Sequence, residues 1–126
     1  METLEFRAWD KATKTITYDP TAIGDFDVVH INDFFKDTED YIFMQYTGKI
    51  DKNGKKTYEG DIIINDANKL FRYPLLIEKD IISGFYLSSK QGRYLHPRIP
   101  FGQYNYYGNI EVIGNIYLNP ELMEHE

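Results

Sequence analysis

This sequence predicts a mainly β protein built from short paired strands, with one short helix near its C-terminal end. Three observations carry that expectation. Aromatic residues make up 16% of the chain, chiefly eleven Tyr and eight Phe, and such side chains favour pleated, half-buried surfaces. Apolar runs of strand length are separated by turn pairs, Asn53-Gly54, Gly60-Asp61 and Ser83-Gly84, which punctuate hairpins. A helix start of the usual kind is read at Asn119-Pro120-Glu121: an N-cap, a first helical Pro and an acidic first turn.

Taken in order, Glu5 to Tyr18 reads as a hairpin. Phe6 and Ala8 share one face and Arg7 and Trp9 the other, while Ile16 and Tyr18 alternate with Thr15 and Thr17. Lys11-Ala12-Thr13-Lys14 is polar enough to connect the two, and Asp19-Pro20 ends the second strand. Trp9, the one tryptophan, is expected to be a core or interface aromatic, in preference to a ligand-stacking one. Asp19 to Asp40 holds seven acids against the single base Lys36. Within it Val28 to Ile31 reads as a strand, and Asn32 to Asp37 as a helical turn or loop. Three readings of this composition are a cation site, an acidic docking surface and a solvated edge; the absence of EF-hand spacing counts against the first.

The stretch Phe43 to Ile64 is the centre of the chain. Asn53-Gly54 suits a two-residue type I′ turn, which needs positive φ at both central residues. Tyr46 and Tyr58 fall on either side of it, so a hairpin is expected. Ile62-Ile63-Ile64 is apolar on both faces, as in a buried strand. Asn65 to Asn68 is a turn. Phe71 to Glu78 holds the next strand, with Pro74 marking its start or an edge. Phe85-Tyr86-Leu87 and Ile110 to Tyr117 complete the set, with Gly114 placed for a bulge or tight bend.

Composition bounds the function. The 126 residues form one ordinary domain or two very small ones. Cysteine is absent, which removes disulfides, thiolate metal sites and a cysteine nucleophile. Met1 to Asp10 lacks the basic and apolar regions of a secretion signal, and no apolar run reaches bilayer-spanning length. The expectation is a protein of the bacterial cytoplasm, with no membrane partner. The net charge of −6 opposes nucleic-acid phosphates unless basic groups are segregated.

Three groups of residues resemble the YopX family of small phage and prophage proteins. The first is Phe6-Arg7-Ala8-Trp9-Asp10-Lys11 with Tyr18. The second is Phe43 to Gly48, then Asp51 to Lys55, then Tyr58-Glu59-Gly60-Asp61-Ile62. The third is Glu111 to Tyr117, then Asn119-Pro120-Glu121-Leu122. They bracket nearly the whole chain in family order. The resemblance implies that the C-terminal half is an SH3-type β-barrel and that the protein is phage-encoded; it implies no particular reaction. The expected organisation is a strand and hairpin region over 1–57 and an SH3-type barrel over 58–126, the two able to form one compact unit.

Chemistry is sparse. His30, His96 and His125 match no metalloprotease spacing. Ser83, Ser88 and Ser89 lack a strand–turn–helix elbow. Asp51 to Gly54 echoes the opening of a calcium loop, but the later Glu is missing. Glu59 and Asp61 are the best carboxylate pair. Against an acid–base role stands a simpler one, in which Asp61 caps backbone N–H groups of the Gly60 turn. No catalytic residue, metal or cofactor is therefore expected, and the protein is read as non-enzymatic.

Lys90 to Asn109 carries the binding expectation. It has no Asp or Glu, and combines Arg93 and Arg98 with Tyr94, Phe101, Tyr104, Tyr106 and Tyr107. An unpatterned segment of this length is uncommon in a compact domain. Three readings stand. Tyr and Arg mark protein contact cores, so a second copy or a host or phage protein is the leading partner. The segment can also pack on its own barrel. Aromatics with arginines can stack bases of single-stranded nucleic acid, the reading that the acidic charge disfavours.

Overall fold

The computed structural model describes residues 5–18, 40–65, 74–80, 84–88, 99–100 and 110–124. The expected strand at Val28 to Ile31, the turn at Asn32 to Asp37 and the turn residues Asp66 to Asn68 lie outside them. The described residues form nine strands: β1 (Phe6–Asp10), β2 (Thr15–Thr17), β3 (Tyr41–Ile50), β4 (Lys56–Tyr58), β5 (Asp61–Asn65), β6 (Leu75–Asp80), β7 (Gly84–Ser88), β8 (Ile99–Pro100) and β9 (Ile110–Asn115). The chain divides into two compact units, Met1–Tyr46 and Thr47–Glu126, so the division falls inside β3.

In the first unit β1 pairs antiparallel with both neighbours. Trp9 stands opposite Ile16 of β2 and Ile42 of β3. The β1–β2 hairpin expected from the alternation is present, and Lys11 to Lys14 connects it. Asp10 closes this connection: its Oδ1 accepts from the N–H of Ala12 at 2.9 Å and Thr13 at 3.2 Å. Its carbonyl accepts from Lys14 N–H at 2.8 Å. Lys14 takes a left-handed φ of 57° to do so. Trp9 is buried, as are Ala8, Phe43 and Met44, so of the core and interface expectations for Trp9 the core one holds. Arg7 is buried as well.

The second unit is organised by a curled five-stranded sheet of order β8-β7-β6-β5-β9. Four of the strands form a meander, and β9 closes onto β5. The paired strands alternate between two cores. Ile63, Leu75, Ile77, Leu87 and Ile110 form one buried cluster, joined by Phe85 and Val112. Ile62, Leu76 and Met123 form the other, joined by Ile113, Ile116 and Leu122. This is why Ile62-Ile63-Ile64 reads as continuously apolar: β5 is covered on both faces. β6 begins directly after Pro74, whose missing N–H would break a ladder in mid-strand. β6 is central in the sheet, so of the two expectations for Pro74 the strand start holds and the edge does not.

Gly114 does mark a bulge. Ile62 pairs with Gly114 and Ile63 with Val112, so Ile113 is the extra residue. The bulge turns Gly114 onto the face where the C-terminal residues pack. A Cβ there would lie 2.6 Å from Asn119 Oδ1 and 2.7 Å from Leu122 Cδ1. Gly114→Ala is therefore expected to destabilise by about 1–3 kcal/mol through overpacking, measured by urea denaturation. Asn119→Ala in the same chain should recover part of that loss; no recovery would mean that Asn119 is not the obstacle.

Three details depart from the sequence expectation. The Asn53-Gly54 turn is not type I′. Gly54 has φ +80° while Asn53 has no positive φ. Gly54 N–H donates to Asp51 O at 3.0 Å and Asp51 N–H to Lys55 O at 2.7 Å. That is a three-residue loop ending in a left-handed Gly, the other common use of Asn-Gly in hairpins. The helix expected over Asn119–Glu124 is one 3-10 segment, Pro120–Met123. Pro120 and Glu121 sit as expected, but Asn119 makes no side-chain cap bond. Finally, Lys90 to Asn109 is not all loop: Ile99 and Pro100 form β8, paired with Leu87 and Tyr86 of β7.

Candidate functional site

The described polar residues with the most defined surroundings lie at three turns of the second unit. Asp51 directly follows β3 and is 5% exposed. Its Oδ1 accepts from Asn53 N–H at 2.9 Å and Lys55 N–H at 2.8 Å. Its Oδ2 accepts from Val112 N–H of β9 at 3.0 Å. Beside it Lys52 N–H donates to Ile110 O at 2.9 Å, and Lys52 Nζ lies 3.2 Å from Glu111 Oε1. One carboxylate thus closes the hairpin loop and clips it to the edge of β9. Burial pushes the Asp51 pKa up. The backbone donors Val112, Lys55 and Asn53, with the Lys55 charge, outweigh that and hold it below the ordinary 3.8.

Behind the tip, hydroxyls tie β3 to β4. Thr57, fully buried, donates to Lys49 O at 2.8 Å and accepts from Thr47 Oγ1, which in turn accepts from Lys49 N–H at 3.2 Å. Gly48 supplies a φ of +89° between them. The arrangement gives both backbone groups of Lys49 a hydroxyl partner.

At the second turn Asp61 is 1% exposed, and its Oδ2 accepts from Tyr58 N–H at 2.8 Å. Gly60 N–H donates to Ile77 O at 2.8 Å, and Gly60 O accepts from Ile116 N–H at 2.9 Å. The capping role expected of Asp61 is therefore present. Glu59 stands in the turn and Asp61 opens β5. The third turn is built from amides. Asn115 Oδ1 accepts from the N–H of Tyr117 at 3.0 Å and Leu118 at 2.8 Å. Asn119 Oδ1 accepts from Asn115 N–H at 3.2 Å, which explains why it does not cap the helical segment.

Arg93, Tyr94, Arg98, Phe101, Tyr104, Tyr106 and Tyr107 lie outside the described residues, as do His30, His96 and His125. The structure adds that β8, which lies in sequence between Arg98 and Phe101, is one of the two end strands of its sheet among the described residues. Among the described residues no group of three or more His, Asp or Glu could hold a metal ion. Among them, too, no helix is long and apolar enough to cross a membrane. The role of Asp51 towards β9 was missed by sequence reading; the only local signal was an Asp two residues before Asn-Gly, which fits an Asx turn but not a tertiary clip.

Buried carboxylates and amides spent on backbone N–H groups define a class: a small β-sheet scaffold whose turns are locked by side chains. The chain belongs to the YopX family; the YopX protein model matches residues 5–124. Among solved structures it is similar to the crystal structure of protein EF1440 from Enterococcus faecalis. The two share 27% identity over 98% of this chain and 100% of that chain, with a TM-score of 0.62. No curated protein matches the chain. The family match takes in all three residue groups quoted above, and the turns show what two of them do. Asp51 to Lys55, Gly60-Asp61, Gly114-Asn115 and Asn119 are the locking residues themselves.

Proposed function

We propose that this protein is a phage- or prophage-encoded, non-enzymatic accessory module. It acts in the bacterial cytoplasm by self-association or by binding a host or phage protein. The contact surface is the aromatic and cationic segment Lys90 to Asn109, within which Ile99 and Pro100 form β8. The observation that carries this reading is the state of Asp61. Its carboxylate is buried and bonded to Tyr58 N–H, which opposes a paired acid–base role with Glu59. The Tyr and Arg content of 90–109 supports a contact surface in its place. Membership of the YopX family supports the phage origin. The proposal also takes the curled sheet together with the β3–β4 hairpin as an SH3-type barrel.

Light scattering coupled to size exclusion, at several concentrations, tests the reading alongside capture from lysogenic cells. Association that falls at least about tenfold in the Tyr106→Ala, Tyr107→Ala double variant is expected, since aromatic anchors dominate contact energies. A strict monomer that captures nothing overturns the proposal. So does binding of single-stranded oligonucleotides that weakens steeply with salt.

A further inference from the structure

We infer that Asn53 is a latent deamidation site, held unreactive by the hydrogen bonds that Asp51 makes across the hairpin loop. The reaction needs only water. The Gly54 backbone nitrogen loses its proton to solvent base and attacks Asn53 Cγ. The N–Cγ bond forms, the Cγ–Nδ2 bond breaks and ammonia leaves, giving a five-membered succinimide. Water then opens either carbonyl of the ring, leaving aspartate or isoaspartate.

Asn-Gly is the pair best suited to this chemistry, because Gly puts no side chain in the way of ring closure. Steric shielding is absent here. Asn53 and Gly54 are both exposed, and nothing lies within 4 Å of a Cβ built on Gly54. Protection must come from the turn geometry. The attacking nitrogen is already engaged, as Gly54 N–H donates to Asp51 O at 3.0 Å. The residues on either side are pinned by one oxygen, Asp51 Oδ1, which accepts from Asn53 N–H at 2.9 Å and Lys55 N–H at 2.8 Å. Ring closure requires rotation about the Asn53 backbone and loss of the Gly54 hydrogen bond, so it proceeds only from the opened loop. The Asp51 carboxylate also disfavours an anionic nitrogen beside it.

The modification would change the molecule at a defined place. It writes a negative charge between Lys52 and Lys55. The isoaspartate product also adds a backbone methylene to a loop whose closure depends on Asp51 reaching Asn53 and Lys55.

The test compares three samples at neutral pH, read by peptide mass and isoaspartate content: the full chain, the linear peptide of residues 48–57, and the full chain carrying Asp51→Ala. The intact protein is expected to deamidate at least about tenfold more slowly than the peptide, and Asp51→Ala to recover most of that factor. Equal rates in protein and peptide overturn the inference. So does a folded Asp51→Ala chain that reacts as slowly as the wild type. Should Asp51→Ala fail to fold, amide exchange at Gly54 in the wild type replaces it: that N–H is expected to exchange at least about tenfold more slowly than in the peptide, and exchange at the peptide rate overturns the inference.

Discussion

Asp51→Ala is expected to lower the stability of the second unit by about 2–4 kcal/mol, measured by urea denaturation. The substitution removes the acceptor for Asn53, Lys55 and Val112 N–H together. A hydrogen bond to a charged acceptor contributes about 1.5–3 kcal/mol, and an orphaned N–H carries its own desolvation cost. The first two donors lie in an exposed loop and recover water. Val112 N–H, on partly buried β9, does so poorly, which sets the lower end of the range. A loss under about 0.5 kcal/mol, typical of an uninvolved surface position, would show that the clip to β9 does not hold the fold.

The same carboxylate gives a pH signature whose sign is fixed. Its folded pKa lies below the ordinary 3.8, so its ionised form stabilises the folded chain. The contribution is fully present above the unfolded value and is lost as pH falls through the folded one. Asp51→Asn does not titrate, and its NH2 group opposes one of the backbone donors. The stability gap between wild type and Asp51→Asn should therefore be constant near neutrality and narrow as the pH is taken below 3.8. A gap that stays constant into acid would assign the effect to shape and not to charge.

The second large effect concerns β5. Ile62→Ala and Ile63→Ala are each expected to cost about 2–5 kcal/mol, the range for removing a fully buried branched side chain. Both residues have no exposed surface, yet they serve different cores. Ile62 packs with Leu76 and Met123, and Ile63 with Leu75, Ile77, Leu87 and Ile110. Ile64 is only half-buried, and Ile64→Ala should cost about 1 kcal/mol on the lost area. A sheet wet on one face would instead tolerate one of the two neighbours. Near-neutral behaviour of Ile62→Ala would mean that the C-terminal residues do not cover that face in solution.

Much of this was legible from residues alone, and the reason differs by place. The β1–β2 hairpin announces itself through alternation, because one register step moves every side chain to the other face. Pro74 fixes where β6 begins because it lacks the donor that a central strand needs. Gly114 marks its bulge because no side chain fits beside Asn119 and Leu122. The candidate site was less legible. In the sequence Asp51 offers only an incomplete echo of a calcium loop, since nothing local announces a bond to a residue 61 positions away. The turn type was misassigned because Asn-Gly serves two hairpin geometries. The clip that closes this one as a three-residue loop involves β9.

Residues read in isolation already express the short strands of the described regions, the turns at Lys11 to Lys14, Asn53-Gly54 and Gly60-Asp61, the lack of cysteine and the likeness to the YopX family. These depend on local sterics, period and composition, which neighbours in the chain already express. Folding in three dimensions settled that β5 feeds two cores, that β8 pairs with β7, and that Asn119 serves Asn115 instead of a helix. It also decided that Asp51 and Asp61 are taken up by the backbone. Each of those outcomes is a choice among competing hydrogen-bond or apolar partners, and the choice exists only once distant strands have been brought side by side.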